Sequence, residues 1–132
     1  MSANLELIES LYAAFARGDG PALFAAMDPA IVWNEAENFP LADRNPYIGP
    51  AAIGEGVFYR LATEWDNFQA IPAEYIDGGA TIAALGRYTA TYKATAKPVD
   101  AQFVHVWRIN DGKITGFQQY TDTYQVQRAI QP

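Results

Sequence analysis

Hydrophobic residues recur at helical spacing in the first part of the chain. The apolar positions between Leu5 and Phe15 lie three or four residues apart, and Gly18 ends the segment, which is the pattern of an amphipathic helix. A second, short helix is predicted to start at Gly20 and Pro21, since proline is tolerated in a first helical turn. A third is predicted from residues 49–50 to 66–67, because four of its apolar residues step by fours: Ile53, Val57, Leu61 and Trp65.

The segment between the second and third helices contains a predicted strand, residues 31–35, and then a long loop over residues 36–49. The loop contains Pro40 and Pro46, and it shows neither helical spacing nor alternation. Long loops in small domains are often lids over a site or arms at an interface.

From Phe68 onward the apolar pattern alternates, which predicts β-strands. The strand over residues 68–76 contains Pro72, so it is expected at a sheet edge or with a bulge. A second strand covers residues 81–93. The tripeptide Asn110-Asp111-Gly112 predicts a tight turn in a hairpin over residues 100–124, and residues 124–130 are either a short helix or the end of the last strand.

This hairpin carries the single histidine of the chain. Because side chains alternate along a strand, Phe103, His105 and Trp107 share one face of the first strand. Counting by twos from Ile114 places Asp122 on one face of the second strand. If these two faces line the same cavity, His105 and Asp122 are candidates for acid/base chemistry there.

The order of elements predicts an α+β domain in which three helices pack on a curved antiparallel sheet and leave a cone-shaped pocket. At 132 residues the chain is expected to be one domain, residues 1–132. The other face of the sheet, with Val104 and Val106, is expected to be apolar and to form a homodimer.

Composition excludes several classes of function. Half of the residues are hydrophobic and the formal net charge is −6, which argues for a folded protein whose partners are neither nucleic acid nor an anionic membrane. The chain has no cysteine and one histidine, so a metal site is not expected. No apolar run approaches a membrane span of about 20 residues, and the first residues lack a basic signal region. A cytoplasmic protein without a cofactor is therefore expected.

Five segments match a known family, and together they cover nearly the whole chain: LYAAFARGD, YIGPAAI, LGRYTATYKATAKPVD, FVHVWRINDGKI and QYTDT. In these segments the chain resembles SnoaL-like, ketosteroid isomerase-related members of the nuclear transport factor 2 (NTF2-like) superfamily. The resemblance implies a cone-shaped NTF2-like fold with a mostly antiparallel, mixed sheet. It does not identify a reaction, because this fold hosts enzymes, transport factors and binding domains.

The resemblance to ketosteroid isomerases also implies site residues. Tyr12 matches their oxyanion-hole tyrosine, and His105 matches the protonated aspartic acid that completes the hole. At the position of their general base this chain has Asn34, with Glu35 and Glu37 close by. Asparagine cannot take a proton, but a shift of one residue in the strand alignment would place Glu35 there.

Asp122 matches the acid/base aspartate of SnoaL-type polyketide cyclases. Burial among aromatic residues would raise its pKa toward that of a useful base. The alternative is that Asp122 caps a C-terminal helix. Structural alternatives also exist for His105, as a core histidine, and for Tyr12, as an ordinary aromatic residue of the first helix.

The many aromatic residues favour an apolar cavity for a small apolar or aromatic ligand. The residues predicted to bind such a substrate are Trp33, Asn34, Glu35, Phe58, Tyr88, Phe103, Trp107 and Tyr120.

The leading hypothesis is a cofactor-free isomerase, cyclase or dehydratase that uses acid/base enolate chemistry on a small apolar carbonyl compound. Asp122 would move the proton, while His105 and Tyr12 would stabilise the oxyanion. One alternative is a ligand-binding or dimerisation domain without turnover. Another is water activation of the epoxide hydrolase type, which would need Arg87 or Arg108 to point at Asp122.

Overall fold

The computed structural model describes residues 2–132 and places its helices on one side of a curved sheet. The Ser2 side chain caps the first helix by accepting a hydrogen bond from the backbone N–H of Leu5. The helices are α1 (Ala3–Ala16), α2 (Gly20–Ala25), α3 (Pro50–Ile53), α4 (Tyr59–Glu64) and α5 (Thr123–Ile130). A π-helical turn, Gly54–Phe58, joins α3 to α4, so the predicted third helix is one continuous helical run of three segments.

The sheet has six strands in the order β2-β1-β6-β5-β4-β3. The pair β1–β6 is parallel and every other neighbouring pair is antiparallel. The predicted α+β fold with a mixed, mostly antiparallel sheet is therefore confirmed. The strands are β1 (Met27–Asn34), β2 (Tyr47–Ile48), β3 (Trp65–Asp77), β4 (Thr81–Tyr92), β5 (Pro98–Asn110) and β6 (Lys113–Thr121).

The long predicted loop contains regular structure. A 3₁₀ helix, Pro40–Arg44, and the short strand β2 lie within it. The Tyr47 hydroxyl donates to the carbonyl oxygen of Leu41 at 2.5 Å, and the Tyr47 ring packs so closely on Gly56 that a Cβ there would lie 2.3 Å from it. The loop is thereby held against the π-helical turn.

Strand β3 is an edge strand with a bulge, as Pro72 predicts. The pairing with β4 shifts register between Pro72 and Glu74. At this point a Cβ on Gly86 would lie 2.2 Å from the carbonyl oxygen of Ile71, so the bulge requires glycine on β4. The strand begins earlier than predicted, at Trp65, because that indole packs on Tyr92 of β4 with ring centroids 4.8 Å apart.

A second register shift decides which residues of β6 face the helices. Arg108 pairs with Gly116, whereas Ile109 pairs with Ile114, so Thr115 is an extra residue in β6. A bulge of this kind reverses the alternation of side chains beyond it. Phe117 and Gln119 consequently face inward and are buried. Gln118 and Tyr120, which alternate with these residues, lie on the outer face, so the hypothesis that Asp122 faces the cavity is wrong.

The core lies between the concave face of the sheet and the helices, and it includes Val126 and Ala129 of α5. The β5 residues expected on one face, Phe103, His105, Trp107 and Ile109, are all buried there. The C-terminal segment is a helix, α5, rather than a continuation of β6. Within residues 2–132, no helix is long and apolar enough to cross a membrane.

Candidate functional site

A cavity of about 60 Å³ lies between the concave sheet face and the helices. Its polar side chains come from one helix, from the residue that follows β1 and from three strands: Tyr12 from α1, Glu35 after β1, Tyr88 from β4, His105 from β5 and Gln119 from β6. The rest of the lining is apolar: Leu11, Phe15, Leu23, Trp33, Phe39, Val57, Phe58, Leu61, Phe68, Ala70, Trp107 and Phe117.

His105 lies at the centre of this polar group and is 4% exposed. Its Nδ1 atom is 2.5 Å from the Tyr12 hydroxyl, and its Nε2 atom is hydrogen-bonded to the Tyr88 hydroxyl. Burial lowers the pKa of His105 to about 3, because desolvation penalises the charged imidazolium. The imidazole is therefore neutral at physiological pH, with one N–H and one lone pair.

Two further side chains extend the hydrogen-bonded chain on either side of His105. The Trp107 indole donates from Nε1 to the Tyr12 hydroxyl at 3.0 Å. The Gln119 amide donates from Nε2 to the Tyr88 hydroxyl at 2.9 Å, and its Oε1 accepts from the backbone N–H of Ala36 at 3.0 Å. We call these five residues, from Trp107 through Tyr12, His105 and Tyr88 to Gln119, the His105 chain.

Both tyrosines of the His105 chain remain protonated. Burial raises the pKa of Tyr12 and of Tyr88 well above the ordinary value for tyrosine, because a phenolate in this apolar cavity would lack solvation. Each hydroxyl can therefore serve as a hydrogen-bond donor as well as an acceptor.

Glu35 is the carboxyl group of the cavity and is 4% exposed. It directly follows β1, and the Asn45 side chain holds its backbone through two hydrogen bonds of 3.0 and 2.8 Å. The Trp33 indole donates to Glu35 Oε2 over 3.4 Å. Burial raises the pKa of Glu35 to about 8, so this side chain is an uncharged acid at pH 7 and ionises just above it. A carboxyl group with such a pKa can both accept and return a proton near neutral pH.

Most of the predicted site residues meet in this cavity. Tyr12, Trp33, Glu35, Phe58, Tyr88, His105 and Trp107 line it. Phe103 is not part of the lining but stacks on the His105 ring, with centroids 4.0 Å apart, and so holds the imidazole in place.

Asp122 does not reach the cavity. It is exposed and is the N-cap of α5, where its carboxylate accepts from the backbone N–H of Gln125 at 3.2 Å. The hypothesis of a His105–Asp122 dyad is therefore wrong, because the bulge in β6 turns Asp122 to the outer side and α5 begins there. Tyr120 lies on the same outer face, 57% exposed.

Asn34 and Glu37, the other two residues considered for the position of the general base, lie outside the cavity. Asn34 is half-buried on the outer face, where it borders a surface depression with Val32 and Tyr120, and Glu37 is exposed. Glu35 alone occupies the place expected for a base near the end of β1.

The arrangement needed for water activation of the epoxide hydrolase type is absent from residues 2–132. Arg87 Nε donates to Asp100 Oδ1 at 2.8 Å, and Arg108 donates to the Thr81 hydroxyl at 3.1 Å. Both arginines are exposed. Arg87 borders an outer depression with Asp122, but within residues 2–132 neither arginine is hydrogen-bonded to Asp122, whose carboxylate accepts from the N–H of Gln125. The described residues also include no group of three or more His, Cys, Asp or Glu side chains that could hold a metal ion.

Gln119 is the site residue that sequence reasoning missed. Simple alternation from Ile114 assigns it to the outer face, and only the extra residue at Thr115 brings it inward. No signal in the sequence marks this bulge beyond the glycine that follows it.

The cavity reaches the protein surface between α1, the π-helical turn and the start of β3. Phe15, Phe58 and Phe68 are half-buried, and they line both the cavity and an adjoining surface groove. The Phe58 ring lies 6.1 Å from that of Phe15, centroid to centroid. A ligand that enters here must pass these aromatic rings.

Comparisons with known proteins agree with this architecture. The family model described as SnoaL-like domain matches residues 8–117. An NTF2-like protein from Burkholderia thailandensis is 39% identical, with both chains covered completely and a TM-score of 0.94. A search of curated proteins gives no match.

Two further solved structures share the fold. TerC, crystallised with polyporic acid, is 26% identical, with 98% of each chain covered and a TM-score of 0.85. A protein from Jannaschia sp. CCS1 assigned as a SnoaL-like polyketide cyclase is 16% identical, with 96% of this chain and 90% of that one covered and a TM-score of 0.81. At 16% identity the likeness concerns the fold alone.

Proposed function

The chain belongs to the SnoaL-like family of NTF2-like proteins, and from this premise we propose that it is an enzyme of the isomerase, cyclase or dehydratase type. Its substrate is a small, largely apolar carbonyl compound, and the reaction passes through an enolate. One observation carries the proposal: a carboxyl group whose pKa burial raises to about 8 shares an apolar cavity with two protonated tyrosine hydroxyls.

In the proposed reaction the Glu35 carboxylate takes a proton from the carbon next to the carbonyl group. The electron pair of the broken C–H bond moves to the carbonyl oxygen, which becomes an enolate. A tyrosine hydroxyl donates a hydrogen bond to that oxygen as its charge develops, which is the role of an oxyanion hole. Protonated Glu35 then returns the proton to the same or another carbon. His105 positions the tyrosines through its two ring nitrogens.

The size and lining of the cavity support a small ligand with little polarity. One water molecule needs roughly 10–15 Å³ of such volume, so about 60 Å³ admits a ligand of only a few heavy atoms unless the aromatic rings at the mouth move. The complex of the similar protein TerC with polyporic acid supports an organic ligand in this fold.

The test is exchange of α-hydrogens in deuterated water, followed by NMR on a panel of small ketones that includes cyclopentanone and cyclohexanone. The wild-type protein is expected to speed exchange, with a rate that rises with pH through about 8 as Glu35 ionises. Glu35→Gln is expected to lower the rate by about 10²–10⁴-fold, which is the range for loss of a general base.

Asp122→Asn serves as the matched control, because it also converts a strand-end carboxylate into an amide and leaves the cavity unchanged. Its exchange rate should equal that of the wild type. Exchange that is unaffected by Glu35→Gln would contradict the assignment of the base. Ketone binding without exchange in the wild type would instead favour the second candidate function, a ligand-binding domain without turnover.

The homodimer through the outer sheet face stays a prediction. It is supported by apolar side chains on that face, since Val32 is 40% and Tyr120 57% exposed and both border one depression with Val106. Sedimentation velocity on the wild type and on Tyr120→Glu would test it, with a shift to the monomer expected only in the variant.

A further inference from the structure

Apart from the second hydrogen of the Gln119 amide, the His105 chain contains one donor hydrogen more than its bonds use. The Trp107 indole, the two tyrosine hydroxyls and the neutral imidazole each bring one hydrogen, and one of the two hydrogens on Gln119 Nε2 is donated to Tyr88. These five donor hydrogens serve four hydrogen bonds. We propose that the spare hydrogen is a tyrosine hydroxyl donor directed into the cavity, and that the tautomer of His105 decides whether Tyr12 or Tyr88 presents it.

The two ends of the chain can only donate. An indole nitrogen has a hydrogen and no lone pair to offer, so Trp107 must donate to Tyr12. The Gln119 amide is oriented by the bond from the backbone N–H of Ala36 to its oxygen, and its nitrogen therefore faces Tyr88. Each tyrosine oxygen thus already accepts one hydrogen bond from outside the central Tyr-His-Tyr group.

The neutral imidazole cannot treat both tyrosines alike. When Nδ1 carries the hydrogen, His105 donates to Tyr12 and accepts from Tyr88, so the Tyr12 hydroxyl hydrogen is left over. When Nε2 carries it, His105 donates to Tyr88 and accepts from Tyr12, and the Tyr88 hydrogen is left over. Burial of His105 without a charged hydrogen-bond partner among residues 2–132 supports the neutral form.

The spare hydrogen has no acceptor within the part of the chain that the structure describes. Neither hydroxyl makes a hydrogen bond there beyond those of the His105 chain, and both tyrosines line the cavity. A buried donor without a partner is costly, so the cavity favours a ligand with one acceptor oxygen at this place: a ketone or aldehyde carbonyl, or the enolate made from it. This inference rests on the proposed function for the identity of the ligand but not for the count of hydrogens.

Two tyrosines at separate positions then give the cavity two alternative places to hold one carbonyl oxygen. In an oxyanion hole with two simultaneous donors, both hydroxyls would bond the same oxygen and the loss of either one would weaken binding. In the proposed arrangement either tyrosine alone suffices, because removing one hydroxyl leaves the other free to donate.

The tautomer is measured by ¹⁵N NMR of the imidazole, which is unambiguous because the chain has a single histidine. The wild type should show one N–H nitrogen and one lone-pair nitrogen, or their average if the tautomers exchange, throughout pH 5–9. Tyr12→Phe should shift His105 to the Nε2–H form, and Tyr88→Phe to the Nδ1–H form, since an N–H facing phenylalanine would have no acceptor. The same tautomer in both variants, or two N–H nitrogens in the wild type, would overturn the proposal.

Binding of cyclohexanone, followed through its carbonyl ¹³C signal, gives the second measurement. Each single variant should bind within about threefold of the wild type, whereas Tyr12→Phe/Tyr88→Phe should bind about tenfold more weakly, as expected for one lost hydrogen bond. A full loss of affinity in either single variant would contradict the proposal. If the tautomers shift as predicted but no ketone undergoes exchange, the hydrogen count is right and the proposed function is wrong. The wild-type ¹⁵N spectrum shows whether His105 carries one N–H or two, even if a variant does not fold.

Discussion

The neighbouring parallel strands β1 and β6 each end one residue before a carboxyl group, and the two groups have opposite environments. Glu35 follows Asn34 at the end of β1, and Asp122 follows Thr121 at the end of β6. Glu35 is 4% exposed in an apolar cavity and its pKa is raised to about 8. Asp122 is exposed and accepts a hydrogen bond from the first turn of α5.

The difference comes from register and from what each strand leads into. Asn34 pairs with Gln118, so β6 continues to Thr121 beyond the point where β1 ends. After β1 the chain enters the loop that Asn45 holds, where Glu35 is buried, whereas after β6 Asp122 is the exposed N-cap of α5. Two carboxyl groups at similar positions in a fold thus have different chemistry, because contact with water rather than position along a strand sets the cost of their charge.

The pH dependence of stability is the largest expected effect and tests the burial of Glu35. Its pKa rises from 4.5 to about 8 on folding, so between these values the folded protein binds more protons than the unfolded one. The free energy of unfolding of the wild type therefore falls as pH rises through this window. Glutamine does not titrate, so above pH 8 the free energy of unfolding of Glu35→Gln should exceed that of the wild type by up to about 5 kcal/mol.

The measurement is urea unfolding of both proteins between pH 4 and pH 9. The comparison at pH 4 is the internal control. At this pH Glu35 is largely protonated in both the folded and the unfolded wild type, so any difference in stability comes from replacing the carboxyl group with an amide. A difference in stability that does not change with pH would show that Glu35 is not desolvated.

A second prediction sharpens the contrast between the two faces of β6. Gln119→Leu removes the acceptor of the buried Ala36 N–H and the donor to Tyr88, and should cost about 2–3 kcal/mol, as expected for unsatisfied buried groups. Gln118→Leu makes the same chemical change one residue away on the outer face, and should alter stability by less than about 0.5 kcal/mol. Thermal unfolding of both variants checks this, and equal losses would contradict the assigned faces.

The smallest effect concerns the cap of α5. Asp122→Ala removes the hydrogen bond to the Gln125 N–H and should cost about 1 kcal/mol, the usual value of an N-cap. Asp122→Ser should recover most of this loss, because serine also caps helices well. Chemical denaturation measures both, and a change in α-hydrogen exchange by either variant would contradict the separation of Asp122 from the cavity.

Much of the fold follows from local patterns that the sequence displays openly. The helical spacing from Leu5 to Phe15 corresponds to α1. Pro72 predicted an edge position or a bulge, and β3 has both. The inward face of β5, with His105 between aromatic neighbours, also follows from alternation alone. These predictions succeed because helix and strand periods depend on residues only a few positions apart.

The predictions that failed depended on contacts between distant parts of the chain. Counting by twos along β6 gave the wrong face for Asp122 and hid Gln119, because the extra residue at Thr115 is visible only in the pairing with β5. Which of Asn34 and Glu35 lines the cavity also depended on a single residue of register, and alternation alone left it open.

The sequence by itself determined the classes of element, the resemblance to the SnoaL-like family and the set of polar residues from which a site could be built. Only the tertiary structure decided which of these residues share one cavity and which lie in water. The physical reason is that a carboxyl group or an imidazole has its ordinary pKa until packing removes its solvent. That packing joins residues as far apart in the chain as Tyr12, Glu35, Tyr88, His105 and Gln119.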